Sequence, residues 1–356
     1  MQVHNPAGTD GFDFLEFASP DPKKLVEQFT SMGFTPVAKH KHADITLYQQ
    51  NDIRFLVNLE KNSQAMQFAE LHGPSTSAMG FRVKDAHAAY QHAIANGAIP
   101  YEAREHTNYY QIPAIYGVGN SLIYFIDYRN DNANYADQFT NLITPATKLN
   151  GLGLTYIDHV THNLFRGHMN EWAEYYNRIF NFNEVRYFDI EGRLTGLVSR
   201  AMASPCGKIR IPLNESADDQ SQIEEFLKSF NGEGIQHIAL GTNNIYDSVE
   251  KLHRQGIIFL DTPDTYFELI EDRLPNHGEP LDLLKKHRIL LDGESKKAKK
   301  LLLQIFTQNM LGPVFFEIIQ RKGDEGFGEG NFRALFESIE LDQIRRGVIK
   351  VEEEKL

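Results

Sequence analysis

Apolar positions recur along the chain with two periods, one of two residues and one near three and a half. Residues 12–17 read Phe-Asp-Phe-Leu-Glu-Phe, an alternation that predicts a strand. Asp21-Pro22 then supplies a helix cap and first-turn proline, and Leu25, Val26 and Phe29 follow at helical spacing until Gly33. Another strand is predicted at 45–48. Much later the same order returns. A strand at 156–160 precedes a helix through Trp172, Tyr175, Tyr176 and Ile179, and a strand at 185–190 follows. The strand 79–83 with its helix 85–95, stopped by Gly97, has a counterpart in the strand 236–240 with its helix 245–254, stopped by Gly256. Each half closes on a strand, at 122–127 and 314–320.

Strand, helix and several strands, given twice, predict an α+β protein of two similar domains. The N-terminal domain is expected over 11–130 and the C-terminal domain over 154–340. Between them, 131–153 holds Pro145, several Asn and two Gly, the composition of a linker.

The two halves differ where chemistry can occur. Aligning the opening strands sets Glu16 against His159. The middle strands set Gly80 against His237, and the closing strands set Tyr124 against Glu317. Two imidazoles and a carboxylate with open positions form the ligand set of non-haem Fe(II) oxygenases. Glu317 weighs most in this reading. It stands in Val314-Phe315-Phe316-Glu317-Ile318-Ile319, and an ionised carboxylate buried there without a partner costs several kcal/mol. A metal ion meets that need. Zinc hydrolases carry the His-Glu-x-x-His helix motif, which this sequence lacks, so iron is favoured. Alternation turns His162 away from His159. Gln304 and Phe306 share one strand face, a polar amide beside an aromatic.

Composition narrows the partners. The chain has 356 residues and a formal net charge of −12, which disfavours nucleic acid. The basic cluster Lys296, Lys297, Lys299 and Lys300 reads as a solvated element end. The single Cys206 permits no internal disulfide and no thiolate metal cage. The polar N-terminus has no apolar signal core, and no run approaches the roughly twenty apolar residues of a bilayer span. A cytoplasmic protein without a membrane partner is expected, with a charged, frayed tail at 350–356. The glycines of Gly326-Phe327-Gly328-Glu329-Gly330 read as a hinge before a final helix from about Asn331. Its apolar stripe would be Phe332, Leu335, Phe336 and Ile339, with Phe332 placed to cover the site.

Several blocks resemble the 4-hydroxyphenylpyruvate dioxygenase family. They are Ile157-Asp158-His159-Val160, Pro212-Leu213-Asn214-Glu215, Gly234-Ile235-Gln236-His237-Ile238-Ala239, Leu303-Gln304-Ile305-Phe306-Thr307, Phe316-Glu317-Ile318-Ile319-Gln320-Arg321 and the Gly326–Phe332 glycine block. The resemblance implies the vicinal-oxygen-chelate (glyoxalase-like) architecture of paired βαβββ modules, two curved mixed sheets with helices packed around them. It implies one Fe(II) per chain on His159, His237 and Glu317, in the C-terminal domain only. Ser199, Asn214, Gln222, Gln236, Gln304, Phe306, Phe315, Asn331 and Phe332 match the family's substrate-pocket positions. Alternation alone turns Gln236 away from the site, so its match requires a local bulge. The implied substrates are 4-hydroxyphenylpyruvate and O₂, and the products homogentisate and CO₂, in tyrosine and phenylalanine catabolism. A homo-oligomer is expected. The competing readings are a 4-hydroxymandelate synthase and a metal-free small-molecule binder of the same architecture.

Overall fold

The computed structural model describes residues 4–103, 109–128, 135–144, 146–191, 196–219, 221–293 and 300–335. Lys296, Lys297, Lys299, Phe336, Ile339, Pro145 and the tail at 350–356 lie outside the described residues. The N-terminal half contributes β1 (Thr9–Ala18), β2 (Thr35–His40), β3 (Ile45–Gln50), β4 (Ile53–Asn58), β5 (Ser75–Val83), β6 (Ala114–Tyr116), β7 (Leu122–Ile126) and β8 (Phe139–Asn141). They form one eight-stranded sheet in the order β6-β7-β5-β1-β4-β3-β2-β8. The C-terminal half contributes β9 (Leu154–Leu164), β10 (Asn183–Glu191), β11 (Gly196–Ala203), β12 (Arg210–Ser216), β13 (Gly234–Thr242), β14 (Leu290–Gly293), β15 (Leu301–Phe306) and β16 (Phe315–Lys322). Their order is β10-β11-β12-β9-β13-β16-β15-β14. Both sheets are mixed. The pair β12·β9 runs parallel and β9·β13 antiparallel, and β1·β4 and β1·β5 repeat that arrangement.

The helix starts follow their sequence signals. Asp21 accepts from Lys24 N ahead of Pro22, and Asp85 accepts from Ala88 N at the start of Ala86–Ala95. The predicted linker is shorter than expected, because β8 falls inside it. Its residues pair with β2, setting Ala38 opposite Asn141. At the junction the buried Gln50 Oε1 accepts from the backbone of Leu152 and Leu154. A single apolar cluster runs through both halves. Phe29 and Phe55 pack their rings 6.5 and 6.2 Å from Phe316, whose strand neighbour is Glu317.

The pairing registers correct the alignment of the halves. Val83 and Thr242 end equivalent strands, each three residues before the next helix, so Ala78 corresponds to His237 and Gly80 to Ala239. Tyr124 pairs with Gly80 and Glu317 with Ala239, so Tyr124 does correspond to Glu317. Leu15 pairs with Met79 as Val160 pairs with Ile238, which makes Phe14 the counterpart of His159. The positions equivalent to His159, His237 and Glu317 are therefore Phe14, Ala78 and Tyr124. Glu16 and Gly80 were each displaced by two residues, a slip that keeps every side chain on its face and so escapes an alternation test. Phe14 lies 5.7 Å from the Tyr124 ring, filling the space with aromatic carbon. Glu16 corresponds to Thr161. It is buried, and it accepts from Asn58 Nδ2 at 2.8 Å, from Ser77 Oγ at 3.1 Å and from the Tyr110 hydroxyl. Burial pushes its carboxyl pKa up.

Candidate metal centre and aromatic cavity

Three adjacent strands bring the three donors together. His159 on β9 pairs with Ala239 on β13, and Ala239 pairs in turn with Glu317 on β16. His237 lies two residues back along β13, on the same face. Glu317 Oε2 stands 3.2 Å from His159 Nε2 and 3.7 Å from His237 Nε2. One donor atom from each of the three residues lies within 4.8 Å of the others. Two donors at about 2.1 Å from one ion and at right angles to each other stand about 3 Å apart, so this spacing needs little adjustment to hold an ion. The donor set fits a metal.

Each imidazole is oriented through its second nitrogen. His159 Nδ1 donates to Asp158 Oδ1 at 2.8 Å, and His237 Nδ1 donates to Gln236 Oε1 at 2.9 Å. Both therefore present Nε2 toward Glu317, the arrangement that fixes the tautomer of metal-binding histidines. The Thr161 hydroxyl donates to His237 Nε2 at 2.9 Å. Burial pushes His237 well below its ordinary pKa, with His159 and His162 adding to the effect. At His159 burial also opposes the charge, but Glu317 and the bond to Asp158 outweigh it and raise the pKa. Burial likewise opposes ionisation of Asp158. The bonds from Arg321 and His159 prevail and hold its carboxyl well below the usual range.

A cavity opens onto these donors, with about 500 Å³ of empty space including its mouth. Of the pocket residues expected from the sequence, Ser199, Asn214, Gln304, Phe306 and Phe332 line it. Ser199 and Asn214 sit opposite each other on β11 and β12. Phe332 stands at the rim, 38% exposed, on the helical turns at 329–335. Gln304 Nε2 donates to Glu317 Oε1 at 3.4 Å.

Four expected residues lie elsewhere. Gln222 is exposed as the first residue of the helix Gln222–Phe230, where capping by Ser221 turns it outward. Gln236 supports His237 and does not line the cavity. The register of β9 and β13 is broken between Ile235 and His237, the bulge that its position requires. Phe315 stacks on the His237 ring at 5.0 Å and 19°, and so buttresses that imidazole. Asn331 is buried behind the wall, donating to Gln304 Oε1 at 3.0 Å and accepting from the Tyr266 hydroxyl at 2.6 Å. His162 faces away from the donors, bonded to the Tyr176 hydroxyl at 2.8 Å.

Thr161, Phe188, Leu197, Phe327 and Glu329 also line the cavity and were not singled out in the sequence. The Phe327 ring stands 5.4 Å from His159, edge to face. An aromatic residue isolated between glycines was the available signal.

Paired modules with two imidazoles and a carboxylate under a curved sheet define a protein of the glyoxalase and ring-dioxygenase class. Residues 156–270 match the family described as Glyoxalase/Bleomycin resistance protein/Dioxygenase superfamily, and residues 3–140 match Hydroxyphenylpyruvate dioxygenase, HPPD, N-terminal. The chain belongs to the 4-hydroxyphenylpyruvate dioxygenase family. It is 58% identical to the 4-hydroxyphenylpyruvate dioxygenase of Legionella pneumophila strain Corby, over 98% of this chain and 99% of that one. It is 53% identical to that of Pseudomonas aeruginosa, over 98% of both chains. A solved structure of a mutant 4-hydroxymandelate synthase from Streptomyces coelicolor shares the fold, with a TM-score of 0.80 and 23% identity, covering 94% of this chain and 99% of that one. Membership makes the chain a dioxygenase and implies use of a metal. Among the described residues no helix is long and apolar enough to cross a membrane.

Proposed function

We propose that the chain converts 4-hydroxyphenylpyruvate and O₂ to homogentisate and CO₂, using one Fe(II) held by His159, His237 and Glu317. The convergence of these donors at the floor of an aromatic-walled cavity carries the reading. Bound Fe(II) would supply the open coordination positions and the one-electron chemistry that O₂ requires.

The chain's own residues supply binding, orientation and dryness. Phe188, Leu197, Phe306, Phe327 and Phe332 offer apolar wall for a ring. Ser199 and Asn214 offer hydroxyl and amide groups for a phenol. Gln304, held between Glu317 and Asn331, keeps an amide beside the donors. Glu329 and Phe332, on the turns at 329–335, line the cavity and would help to exclude water from the oxidising step. In this reading the 2-oxo acid group would bind beside His159, His237 and Glu317, and the phenol would meet Ser199 and Asn214, which line the same cavity.

The rival product is 4-hydroxymandelate, formed from the same substrates with the same atom balance. The 53–58% identities to named 4-hydroxyphenylpyruvate dioxygenases favour homogentisate. Aerobic incubation with Fe(II) and 4-hydroxyphenylpyruvate, followed by chromatography, tests this. One homogentisate per O₂ consumed is expected. Accumulation of 4-hydroxymandelate, or no O₂ uptake, overturns the proposal.

A further inference from the structure

Among the bonds that hold the segment 324–335, which lines the cavity through Phe327, Glu329 and Phe332, two sets lead to metal-ligand candidates, each to a different one. The first runs through Arg321, four residues beyond Glu317 on β16. Its Nε and Nη2 donate to the two carboxylate oxygens of Asp158 at 2.7 and 2.8 Å. Asp158 is the acceptor for His159 Nδ1. The remaining nitrogen of the same guanidinium, Nη1, donates to the backbone carbonyls of Asp324 at 3.1 Å and Gly326 at 2.6 Å. The next residue, Phe327, sets its ring 5.6 Å from that guanidinium and 5.4 Å from the His159 ring. The second fastening runs from Asn331 through Gln304 to Glu317.

Arg321 thus holds a ligand's support on one edge and the cavity-lining segment on the other. Its side chain is 8% exposed and that of Asp158 is fully buried. If 324–326 lifted away, Nη1 would lose both carbonyls inside the protein, and an unmet donor of that kind is costly. The guanidinium would shift toward other acceptors and take Asp158, and with it His159, out of position. Conversely, an ion that locks His159 and Glu317 in place fixes the surfaces on which Phe327 and Asn331 rest. Effects of this kind are reciprocal by thermodynamic necessity.

We propose that Arg321 is a positioning residue that couples metal occupancy to docking of the segment 324–335. The proposal rests on the metal reading above, and its test separates the two. Anaerobic Fe(II) is the probe. Backbone hydrogen exchange over 324–330 is measured with and without it, beside calorimetric titration of Fe(II), for the wild type, Arg321→Lys and Asn331→Ala. Lysine keeps the charge but lacks the fork that grips Asp158 and the loop together.

In the wild type, Fe(II) should slow exchange over 324–330 by about tenfold or more. Arg321→Lys should abolish most of that slowing and weaken Fe(II) binding by roughly 10–100-fold. Asn331→Ala touches no candidate ligand, yet it should also weaken Fe(II) binding severalfold. Unchanged exchange in a wild type that binds Fe(II) overturns the coupling. So does Arg321→Lys with wild-type exchange and affinity. If Arg321→Lys does not fold, Asn331→Ala decides: a wild-type dissociation constant contradicts the proposal. A wild type that binds no Fe(II) overturns the metal reading itself.

Discussion

Gln236 Oε1 accepts the Nδ1 proton of His237 at 2.9 Å, although the two residues are neighbours on one strand. The bulge between Ile235 and His237 allows it. Gln236→Leu keeps the bulk and removes the acceptor, freeing the ring to turn and change tautomer. Fe(II) affinity should fall by roughly 10–100-fold in anaerobic titration, with the circular-dichroism spectrum unchanged. An unaltered dissociation constant would show that Gln236 does not orient the ligand.

The convergence of His159, His237 and Glu317 was legible because two imidazoles and a carboxylate stand on strands of one half, and Glu317 is flanked by apolar residues on both sides. Their supports were less legible. Asp158 and Gln236 each precede a histidine, and on a regular strand a neighbour faces the other way. Their actual contacts depend on local bulges and on side-chain length, neither of which the alternation encodes. The repeat was readable as topology and misaligned by two residues at Glu16 and Gly80, because face alternation cannot distinguish such a slip. Phe315 and Asn331, expected on the pocket wall, are absent from the cavity lining. Their roles as a buttress for His237 and a brace for Gln304 emerge only from the packing of β13, β15 and β16.

Glu317→Ala and His159→Ala should each abolish O₂ uptake. Both remove a buried polar group from a pair 3.2 Å apart, so the partner loses a neighbour without a packed core being opened. Secondary structure should persist, with a midpoint shift of a few degrees in thermal unfolding. Measurable turnover at a tenth of the wild-type rate in either variant would contradict the ligand assignment.

Gly328 takes φ of +81°, and a Cβ there would stand 1.7 Å from Gln304 Oε1. Gly328→Ala therefore incurs the left-handed penalty of about 1–2 kcal/mol and pushes Gln304 from its place between Glu317 and Asn331. The expected outcome is at least a tenfold loss of kcat/KM in steady-state assays, larger than the loss of stability alone explains. Wild-type kinetics would mean that the position of Gln304 does not matter to turnover.

His162 is buried against Tyr176, and burial holds its pKa down to about 3 from 6.5. Above pH 6.5 it is neutral in both folded and unfolded chains and has no pH effect. As pH falls below 6.5 the unfolded chain takes up a proton that the folded chain refuses. This one group then lowers stability by about 1.4 kcal/mol per pH unit, until about pH 3. Urea unfolding at pH 7.5, 6.0 and 5.0 should show a shallower pH slope for His162→Gln than for the wild type. Equal slopes would place the acid sensitivity in other groups.

The central claim is that His159, His237 and Glu317 share one ferrous ion. Anomalous diffraction at the iron edge, from crystals grown anaerobically with Fe(II), tests it most directly. A single peak within bonding distance of His159 Nε2, His237 Nε2 and a Glu317 carboxylate oxygen is predicted. Iron bound elsewhere on the chain, or no peak at these three donors in iron-loaded crystals, would contradict the account.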